Sequence, residues 1–438
     1  MYRFGCTAFA ILAFGVSPAL AQRGDHPLDN TGPASCTVAE GSIDVLRCGA
    51  VADGRTDSVK AFQAANRALS IAGGGTLIVP RGTYVLGGTF HQSANVAVKC
   101  AAGASIKFTA PNPAGDWSIE GSNTVLDGCT IGLAAKAGVL VGRNGIENIT
   151  ISNNSLSQDP SSSEVVQVNR ANIRNVKVLN NRITGGGYGV AADRALTGSG
   201  LVISGNRISG GKGDAIEINT ISGRFSDTKI LNNTVEAAAG TRNYAGLGIG
   251  AAHALNISII GNRITGSHLA GIHLEDGTRN AEIANNIVSG VGAGKSGIEV
   301  QNSLNGNTTQ DIFIHDNTIT AGTPNTGTGI FLITDKSGAA KNVRTVGNVV
   351  NDFRIGMVLL GSEDAYSNTI NRCETGIRVQ YSVATPAIRN NVLNDTRDTG
   401  VLLDHGGTIG KIRFGGARPK DVLIARFGTK GRIDNTRR

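Results

Sequence analysis

The sequence has few aromatic residues and few prolines: aromatic side chains make up 4% of the 438 residues, and 10 prolines stand beside 61 glycines. This composition is typical neither of a helical protein nor of a disordered one. Beyond the N-terminus, no stretch approaches about 18 consecutive apolar residues, the length of a membrane-spanning helix. We therefore expect a soluble chain with little α-helix.

The first segment, residues 1–21, is predicted to be a cleavable signal peptide. Arg3 supplies a positive charge, Cys6–Val16 is an apolar run, and Ala19–Ala21 fits a small-residue cleavage site. The run is too short to anchor the protein in a bilayer. The sequence therefore predicts a periplasmic or secreted protein whose mature chain begins at Gln22.

The mature chain keeps few cysteines, and an exported protein can join them in disulfides. They are Cys36, Cys48, Cys100, Cys129 and Cys373. We expect a Cys36–Cys48 bridge, which would close a short loop, and we expect Cys373 to be a buried apolar residue. The spacing matches no zinc pattern, so the sequence predicts no metal ion and no cofactor.

The formal net charge of +8 is concentrated at the C-terminal end. Residues 411–438 contain nine Lys and Arg but only two acids. In an exported protein such a segment favours an acidic polysaccharide or an anionic membrane surface as partner, although a solvated tail would look the same. Nucleic acid is not expected, because only Phe414 and Phe427 interrupt these charges and no base-stacking surface is indicated.

One motif recurs along most of the chain: a polar residue or Gly, then Asn, then any residue, then Ile, Val or Leu. Its asparagines are Asn154, Asn181, Asn206, Asn233, Asn262, Asn286, Asn317, Asn348, Asn368 and Asn391. A regular period of short alternating strands predicts a solenoid, here an all-β, single-stranded parallel β-helix with coils about 4.8 Å apart. The repeated Asn is expected to form an internal polar ladder, since Asn tolerates left-handed backbone and bonds to turns.

The region before the repeat differs from it. Thr56 or Asp57 can cap a helix whose apolar face includes Phe62 and Leu69, and Gly73 ends it. Such a helix would cap the open end of the solenoid. The predicted organisation is a signal peptide at 1–21, an N-terminal extension at 22–48, the cap and first coils at 49–110, the β-helix at 111–410 and a basic tail at 411–438.

The N-terminal segment also resembles a known family. The elements are Gly49–Gly54 (GAVADG), Thr56–Asp57, Gly73–Thr76 (GGGT) and Pro80-x-Gly82-x-Tyr84. They are similar to the N-terminal signature of the pectate-lyase-like proteins. That resemblance implies a right-handed parallel β-helix and an activity on polysaccharides, since the group includes lyases, glycoside hydrolases, epimerases and tailspike depolymerases.

A narrower likeness covers Gly213–Glu217, Gly246–Gly250 and Ile272–Glu275. In that order they resemble a stretch of the β-helix protein of colanic-acid biosynthesis clusters, which implies a role in exopolysaccharide production or processing without assigning catalytic residues. The Asp-Pro-His-Glu motif of alginate epimerases and the motifs of polygalacturonases do not occur in the sequence.

A strand that follows a Gly recurs on each coil, and its copies can be aligned at that position. Residues two and four after it should point outward. The first outward row is Ala191, Glu217, Gly250, His273, Glu299, Phe331, Val358 and Arg378. The second row is Asp193, Asn219, Ala252, Glu275, Gln301, Ile333, Leu360 and Gln380.

Acids in these rows cluster on consecutive coils around one coil that has no bulky side chain, Gly250–Ala252, which suggests a saccharide groove. Diagonal pairs such as Glu275 and Glu299 would lie about 8 Å apart, in the range of an inverting glycosidase. Glu217 and Glu275 would be roughly 12 Å apart, too far unless their side chains lean together.

We therefore predict a glycoside hydrolase that acts on an acidic bacterial exopolysaccharide. The candidate catalytic residues are Glu217, Glu275 and Asp214. The candidate substrate-binding residues are Asp193, Asn219, Gly250, His273, Glu299 and Gln301. A polysaccharide lyase, a non-catalytic binding or assembly protein, and a face of merely solvated acids remain alternatives.

Overall fold

We examined a computed structural model of the chain. It describes residues 36–109, 116–134, 137–160, 164–193, 196–220, 224–236, 245–301, 308–333, 340–359, 363–380, 387–404, 408–409, 412–416 and 419–425. The predicted signal peptide and residues 22–35 of the predicted extension lie outside this part of the chain.

The described chain folds as a parallel β-helix of three long sheets, with 15, 15 and 14 strands. Each strand pairs in parallel with the equivalent strand one coil before and one coil after, so side chains stack in rows along the solenoid. The predicted all-β parallel solenoid is confirmed. Its interior is filled mainly by Ile, Val and Leu side chains from all three sheets.

The strands of the first sheet are Ser42–Asp44, Gly75–Val79, Val96–Cys100, Thr124–Asp127, Glu147–Ser152, Ile173–Leu179, Gly198–Ser204, Phe225–Leu231, Leu255–Ile260, Arg279–Ala284, Gln310–His315, Lys341–Val346, Asp364–Tyr366, Ala387–Arg389 and Thr408–Ile409. Those of the second are Asp53–Asp57, Gly82–Leu86, Ala104–Phe108, Thr130–Leu133, Ser155–Gln158, Arg182–Gly185, Arg207–Ser209, Thr234–Glu236, Arg263–Thr265, Ile287–Val291, Thr318–Ala321, Val349–Asn351, Thr369–Asn371, Asn391–Asn394 and Ile412–Gly415. Those of the third are Phe90–Gln92, Trp117–Ile119, Ala137–Val141, Glu164–Val168, Tyr188–Ala192, Ile216–Asn219, Ile249–Ala252, Ala270–Glu275, Ser296–Gln301, Thr326–Ile333, Phe353–Leu359, Thr375–Val379, Thr399–Leu403 and Asp421–Ala425.

The α-helix Val59–Ile71 packs against the first coils, and a short 3₁₀ turn, Val45–Cys48, precedes it. The N-cap is Ser58 rather than the predicted Thr56 or Asp57, and the Ser58 side chain makes no capping hydrogen bond. The Asp57 carboxylate, one residue earlier, accepts a hydrogen bond from the Val59 backbone N–H at 3.0 Å. Phe62 is fully buried and meets the rings of Tyr84 and Phe90 edge-on, at centroid distances of 5.5 and 6.1 Å. The helix therefore closes the hydrophobic interior at this end. No helix among the described residues is long and apolar enough to cross a bilayer.

The ten repeated asparagines are all buried and form the predicted ladder. At Asn233 the side-chain oxygen accepts from the Asn206 backbone N–H at 2.9 Å, while Nδ2 donates to Ile203 O at 2.9 Å and to Asn262 Oδ1 at 3.0 Å. The left-handed residue is the one before the ladder position, such as Asn232 with φ 53°. This corrects the expected reason for the motif: its first residue makes the turn, and its Asn satisfies the turn's backbone.

Two disulfides join cysteines near the N-terminus. The predicted Cys36–Cys48 bridge is confirmed, and a second bridge links Cys100 to Cys129 on neighbouring coils. Cys373 is a free, buried thiol, as predicted.

The solenoid extends further than the predicted boundaries. At the N-terminal side, strand Ser42–Asp44 already pairs in the first sheet. At the C-terminal side, Ile412–Gly415 and Asp421–Ala425 add strands to the second and third sheets. Part of the segment predicted as a basic tail is thus solenoid, because Ile412 and its neighbours keep the alternation of buried and exposed side chains. Residues 426–438 lie outside the described chain.

Candidate functional site: a carboxyl cluster on the third sheet

The strands of the third sheet bend at the recurring Gly. A Cβ at Gly248 would lie 2.4 Å from Ile264 Cγ2, and one at Gly271 would lie 2.2 Å from Val288 Cγ1. The Gly column therefore occupies an inner corner that core side chains of the second sheet already fill. The residues two and four after the Gly position face outward, as predicted. Because the chain turns at this corner, the residue before the Gly position can face outward as well.

The register of the third sheet matches the predicted rows. Glu217 pairs with Gly250, Gly250 with His273, His273 with Glu299, and Glu299 with Phe331. The residues before the Gly position form an additional row with a common register, which strict alternation does not predict. Glu164 and Tyr188 pair in this row, and the same register, continued from the neighbouring pairs, aligns them with Asp214 and Leu247.

Asp214 and Glu217 belong to one coil and hydrogen-bond to each other through their carboxyl groups. Asp214 is 5% exposed, and its Oδ1 accepts a hydrogen bond from the Leu247 backbone N–H at 2.7 Å. Asn219 hydrogen-bonds to the Glu217 carboxyl on the other side. Two carboxyl groups can hydrogen-bond only if one of them carries a proton, so this contact favours a state in which the pair holds one proton.

The surroundings raise the pKa of Glu217 more strongly than that of Asp214. Burial, the negative charge of Asp214 and the hydrogen bond to it raise the pKa of Glu217 well above its ordinary value, with a further contribution from Glu275. Burial also raises the pKa of Asp214, but the hydrogen bonds from Glu217 and the Leu247 N–H oppose this rise. These shifts favour Glu217 over Asp214 as the member that keeps a proton.

The next coil forms a bare floor. A Cβ at Gly250 would lie 2.7 Å from Glu217 Oε2 and 3.1 Å from Asp214 Oδ2, so both carboxyl groups lie over this glycine. Ala252, the next outward residue of the strand, is a small side chain. Only a coil without side-chain bulk leaves this space open.

On the far side of the floor, His273, Glu275 and Glu299 form a second polar group. His273 Nε2 lies 3.7 Å from Glu275 Oε2 and 3.9 Å from Glu299 Oε1, and the three side chains are 14%, 37% and 19% exposed. His273 Nε2 is buried without a hydrogen-bond partner among the described residues. Burial raises the pKa of Glu275; nearby His273 lowers it, and the charges of Asp276 and Glu299 raise it. A donor or acceptor from a bound molecule would satisfy this imidazole nitrogen.

The structure thus brings together six of the predicted site residues, and a seventh, Asn219, is a hydrogen-bond partner of Glu217. The six are Asp214, Glu217, Gly250, His273, Glu275 and Glu299. Asp193 lies one coil before Glu217, and its Oδ2 accepts from Gln167 at 3.1 Å and from Asn169 at 3.3 Å. Gln301 lies beside Ile333 at the opposite edge of the cluster. Among the described residues, no group of three or more His, Cys, Asp and Glu has the geometry of a metal site.

Two participants do not appear among the predicted site residues. Leu247 supplies the backbone N–H that holds Asp214, and its side chain also borders the Gly250 floor. Glu164 belongs to the additional row, and burial and then the charge of Asp193 raise its pKa to about 7. The sequence does contain a signal for these two residues: Glu164, Asp214 and Leu247 all stand immediately before the position of the recurring Gly.

Solved structures with the same architecture come from several sources. The mannuronan C-5 epimerase AlgE4 A-module of Azotobacter vinelandii is 14% identical, with a TM-score of 0.54; the match covers 90% of this chain and 100% of that one. PfbA, a surface adhesin of Streptococcus pneumoniae, is 16% identical, with a TM-score of 0.54 and coverage of 81% and 90%. A tailspike protein mutant of E. coli bacteriophage HK620, in complex with a pentasaccharide, is 12% identical, with a TM-score of 0.50 and coverage of 84% and 76%.

These likenesses show a common fold. No curated protein sequence matches the chain. The family model described as "Right handed beta helix region" matches residues 117–288 and 245–414, which together span more than half of the sequence. The solenoid is therefore right-handed, and the chain belongs to the right-handed β-helix family.

Proposed function

We propose that the protein is a glycoside hydrolase that cleaves an acidic exopolysaccharide in the groove over Gly250. The observation that carries this proposal is the pair of carboxyl groups, Asp214 and Glu217, that lie together over an open floor, with the pKa of both raised by burial. A carboxyl group that keeps its proton near neutral pH is the general acid that glycosidic cleavage needs.

In this mechanism Glu217 gives its proton to the glycosidic oxygen as the bond from that oxygen to the anomeric carbon breaks. Glu275 takes a proton from the water molecule that attacks the anomeric carbon from the other face, so the products are a new reducing end and an alcohol. Asp214 is a positioning residue, because its charge and hydrogen bond hold the proton on Glu217.

The spacing favours an inverting reaction. The α-carbons of Glu217 and Glu275 are roughly 12 Å apart by strand and coil spacing. Their side chains flank the same bare coil, and the charge of Glu275 contributes to the raised pKa of Glu217. Side chains that lean over this floor would approach the separation of about 6.5–9.5 Å that leaves room for a water molecule.

The comparisons support a carbohydrate ligand in general terms, because one similar structure is a mannuronan epimerase module and another holds a pentasaccharide. Export to the periplasm or the medium is part of the proposal. The signal-like residues 1–21 and the two disulfides, Cys36–Cys48 and Cys100–Cys129, support it.

The test uses the purified mature chain, residues 22–438, with the extracellular polysaccharide of the producing organism. Release of reducing ends and a fall in polymer size are expected for the parent, and a loss of at least about 100-fold for Glu217→Gln and for Glu275→Gln. Glu147→Gln, which changes an exposed acid on the first sheet, is the matched control and should cut as fast as the parent.

Other outcomes identify the alternatives. Products with the ultraviolet absorbance of unsaturated uronates would indicate a lyase. Binding of the polymer without any scission by the parent would indicate a binding or assembly protein. Full activity in both glutamine variants would show that the reaction takes place elsewhere on the chain.

A further inference from the structure

A second depression lies on the outer face of the first sheet, away from the carboxyl cluster on the third. Its volume is about 480 Å³, and it runs over five successive coils. Its floor is one outward row of side chains in continuous register: Lys229, Ser258, Glu282, Phe313 and Arg344. The small Ser258 makes the floor deepest between the long side chains on either side.

One edge of the depression is lined by a row of short polar side chains, one from each coil. These are Asp227, Asn256, Asn280, Asp311 and Asn342, all exposed and all with left-handed backbone. They are hydrogen-bonded in two groups: Nδ2 of Asn256 donates to Asp227 at 3.1 Å and Nδ2 of Asn280 to Asn256 at 2.8 Å, while Nδ2 of Asn342 donates to Asp311 at 2.7 Å. Because each amide nitrogen has two hydrogens, each keeps one donor directed away from its ladder partner.

Near one end of the depression, the floor residue Phe313 packs against His315 and Arg344. The rings of Phe313 and His315 stack with centroids 4.1 Å apart, and the Arg344 guanidinium lies over the Phe313 ring at 5.0 Å. His315 is held by Glu282 at 3.0 Å and by Asp316 at 2.8 Å. These contacts fix the side chains before any ligand arrives, which lowers the entropy that binding must overcome.

The chemistry of this surface indicates its ligand. Donors and acceptors repeat once per coil, about every 4.8 Å, which is close to the length of one sugar unit in an extended polysaccharide. The lining carries Lys229 and Arg344 near its two ends and Asp227, Glu282 and Asp311 along its length, so the groove suits a hydroxyl-rich chain rather than a dense polyanion. Planar side chains beside polar groups are typical of sites that orient a ligand.

We propose that this depression is a second polysaccharide-binding groove, which holds a chain along the solenoid axis while the third sheet acts on the same polymer. The identity of the polymer rests on the proposed function. A second attachment point raises the effective concentration of substrate at the first without new contacts there.

The test is retardation in native gels that contain the producing organism's extracellular polysaccharide, or alginate or dextran as defined polymers. All variants carry Glu217→Gln so that the polymer stays intact. Ser258→Tyr fills the floor without removing a native contact, and Thr150→Tyr makes the same change on the same sheet outside the groove. Phe313→Ala removes the aromatic ring from the floor and serves as a second variant.

We expect Ser258→Tyr and Phe313→Ala to weaken binding at least about fivefold and Thr150→Tyr to leave it unchanged, with melting temperatures checked for all three. Equal retardation of Ser258→Tyr and its parent, or no retardation of the parent by any of these polymers, would overturn the groove. Scission is measured separately in chains that keep Glu217. If the polymer is cut but its retardation does not depend on the groove residues, the second groove is rejected and the hydrolase proposal stands. If retardation depends on the groove residues but no polymer is cut, the hydrolase proposal is rejected and the groove stands.

Discussion

The carboxyl groups of Asp214 and Glu217 lie over the α-carbon of a residue that belongs to the next coil, Gly250. A methyl group there would lie 2.7 Å from Glu217 Oε2 and 3.0 Å from Leu247 Cδ1. Gly250→Ala should therefore push the carboxyl groups of Asp214 and Glu217 apart. We expect scission to fall at least about tenfold while the melting temperature changes by only a few degrees, since the solenoid keeps its register.

The matched control for that change is Gly132→Ala on the second sheet, where the nearest atoms to a new Cβ are 4.0 Å away. It should leave both activity and stability close to those of the parent. Full activity in Gly250→Ala would show that contact between the carboxyls and this glycine does not matter for the reaction.

Asn233→Asp tests the internal ladder. The change removes the Nδ2 donors to Ile203 O and Asn262 Oδ1 and introduces a charge at a position that is 1% exposed. We expect a loss of at least about 3 kcal/mol in unfolding free energy, measured by thermal or urea denaturation. Asn232→Asp is the control, because it makes the same change one residue earlier at an exposed left-handed position, which Asp tolerates. Equal melting temperatures for the two variants would contradict a structural role for the ladder.

Much of this solenoid follows from its sequence. The repeated Asn, the alternation in strands such as Ile216–Asn219 and the Gly column together predict the coils and the stacking of Glu217, Gly250 and His273. The outward position of Asp214 and Leu247 could not be predicted, because alternation assumes a straight strand. The bend at the Gly column arises from packing against the second sheet, for example Gly248 against Ile264, and such packing involves residues far apart in the chain.

Glu164 predicts a pH dependence of stability. Its pKa is raised from 4.5 to about 7 in the fold, so the folded state binds more protons than the unfolded state between these values. The contribution of this group is therefore fully present below pH 4.5 and is lost as the pH rises through about 7. After allowance for partial solvent access, the loss should be about 1–2 kcal/mol.

Glu164→Gln cannot ionise and should escape that loss. Relative to the parent, its unfolding free energy in urea should rise by this amount between pH 4.5 and pH 8. Glu147→Gln, at an exposed position, is again the matched control. A constant difference between Glu164→Gln and the parent across this range would show that the carboxyl is not desolvated.

The basic C-terminal residues predict salt-dependent polymer binding. The truncation must spare the strands Ile412–Gly415 and Asp421–Ala425, so it removes only residues 426–438, which hold five Lys and Arg and one acid. We expect weaker binding to acidic polysaccharide at low salt and a shallower salt dependence, because exposed charges are screened over about 8–10 Å. Titrations of parent and truncated chain at several salt concentrations measure the affinity and its salt dependence. Superimposable curves would show that residues 426–438 do not contribute to polymer binding.

The in-register stacking of equivalent coils also has a consequence for how such a site changes through evolution. No single coil encodes the cluster, since Glu217, Gly250 and His273 come from three coils that share one backbone path. Duplication or loss of one coil between Glu217 and Glu275 would change their separation by one step of about 4.8 Å. Every ladder and core contact would re-form with the next neighbouring coil. A lineage could thereby adjust the distance between these carboxyl groups in whole steps of fixed length, by changing the number of coils and keeping the fold.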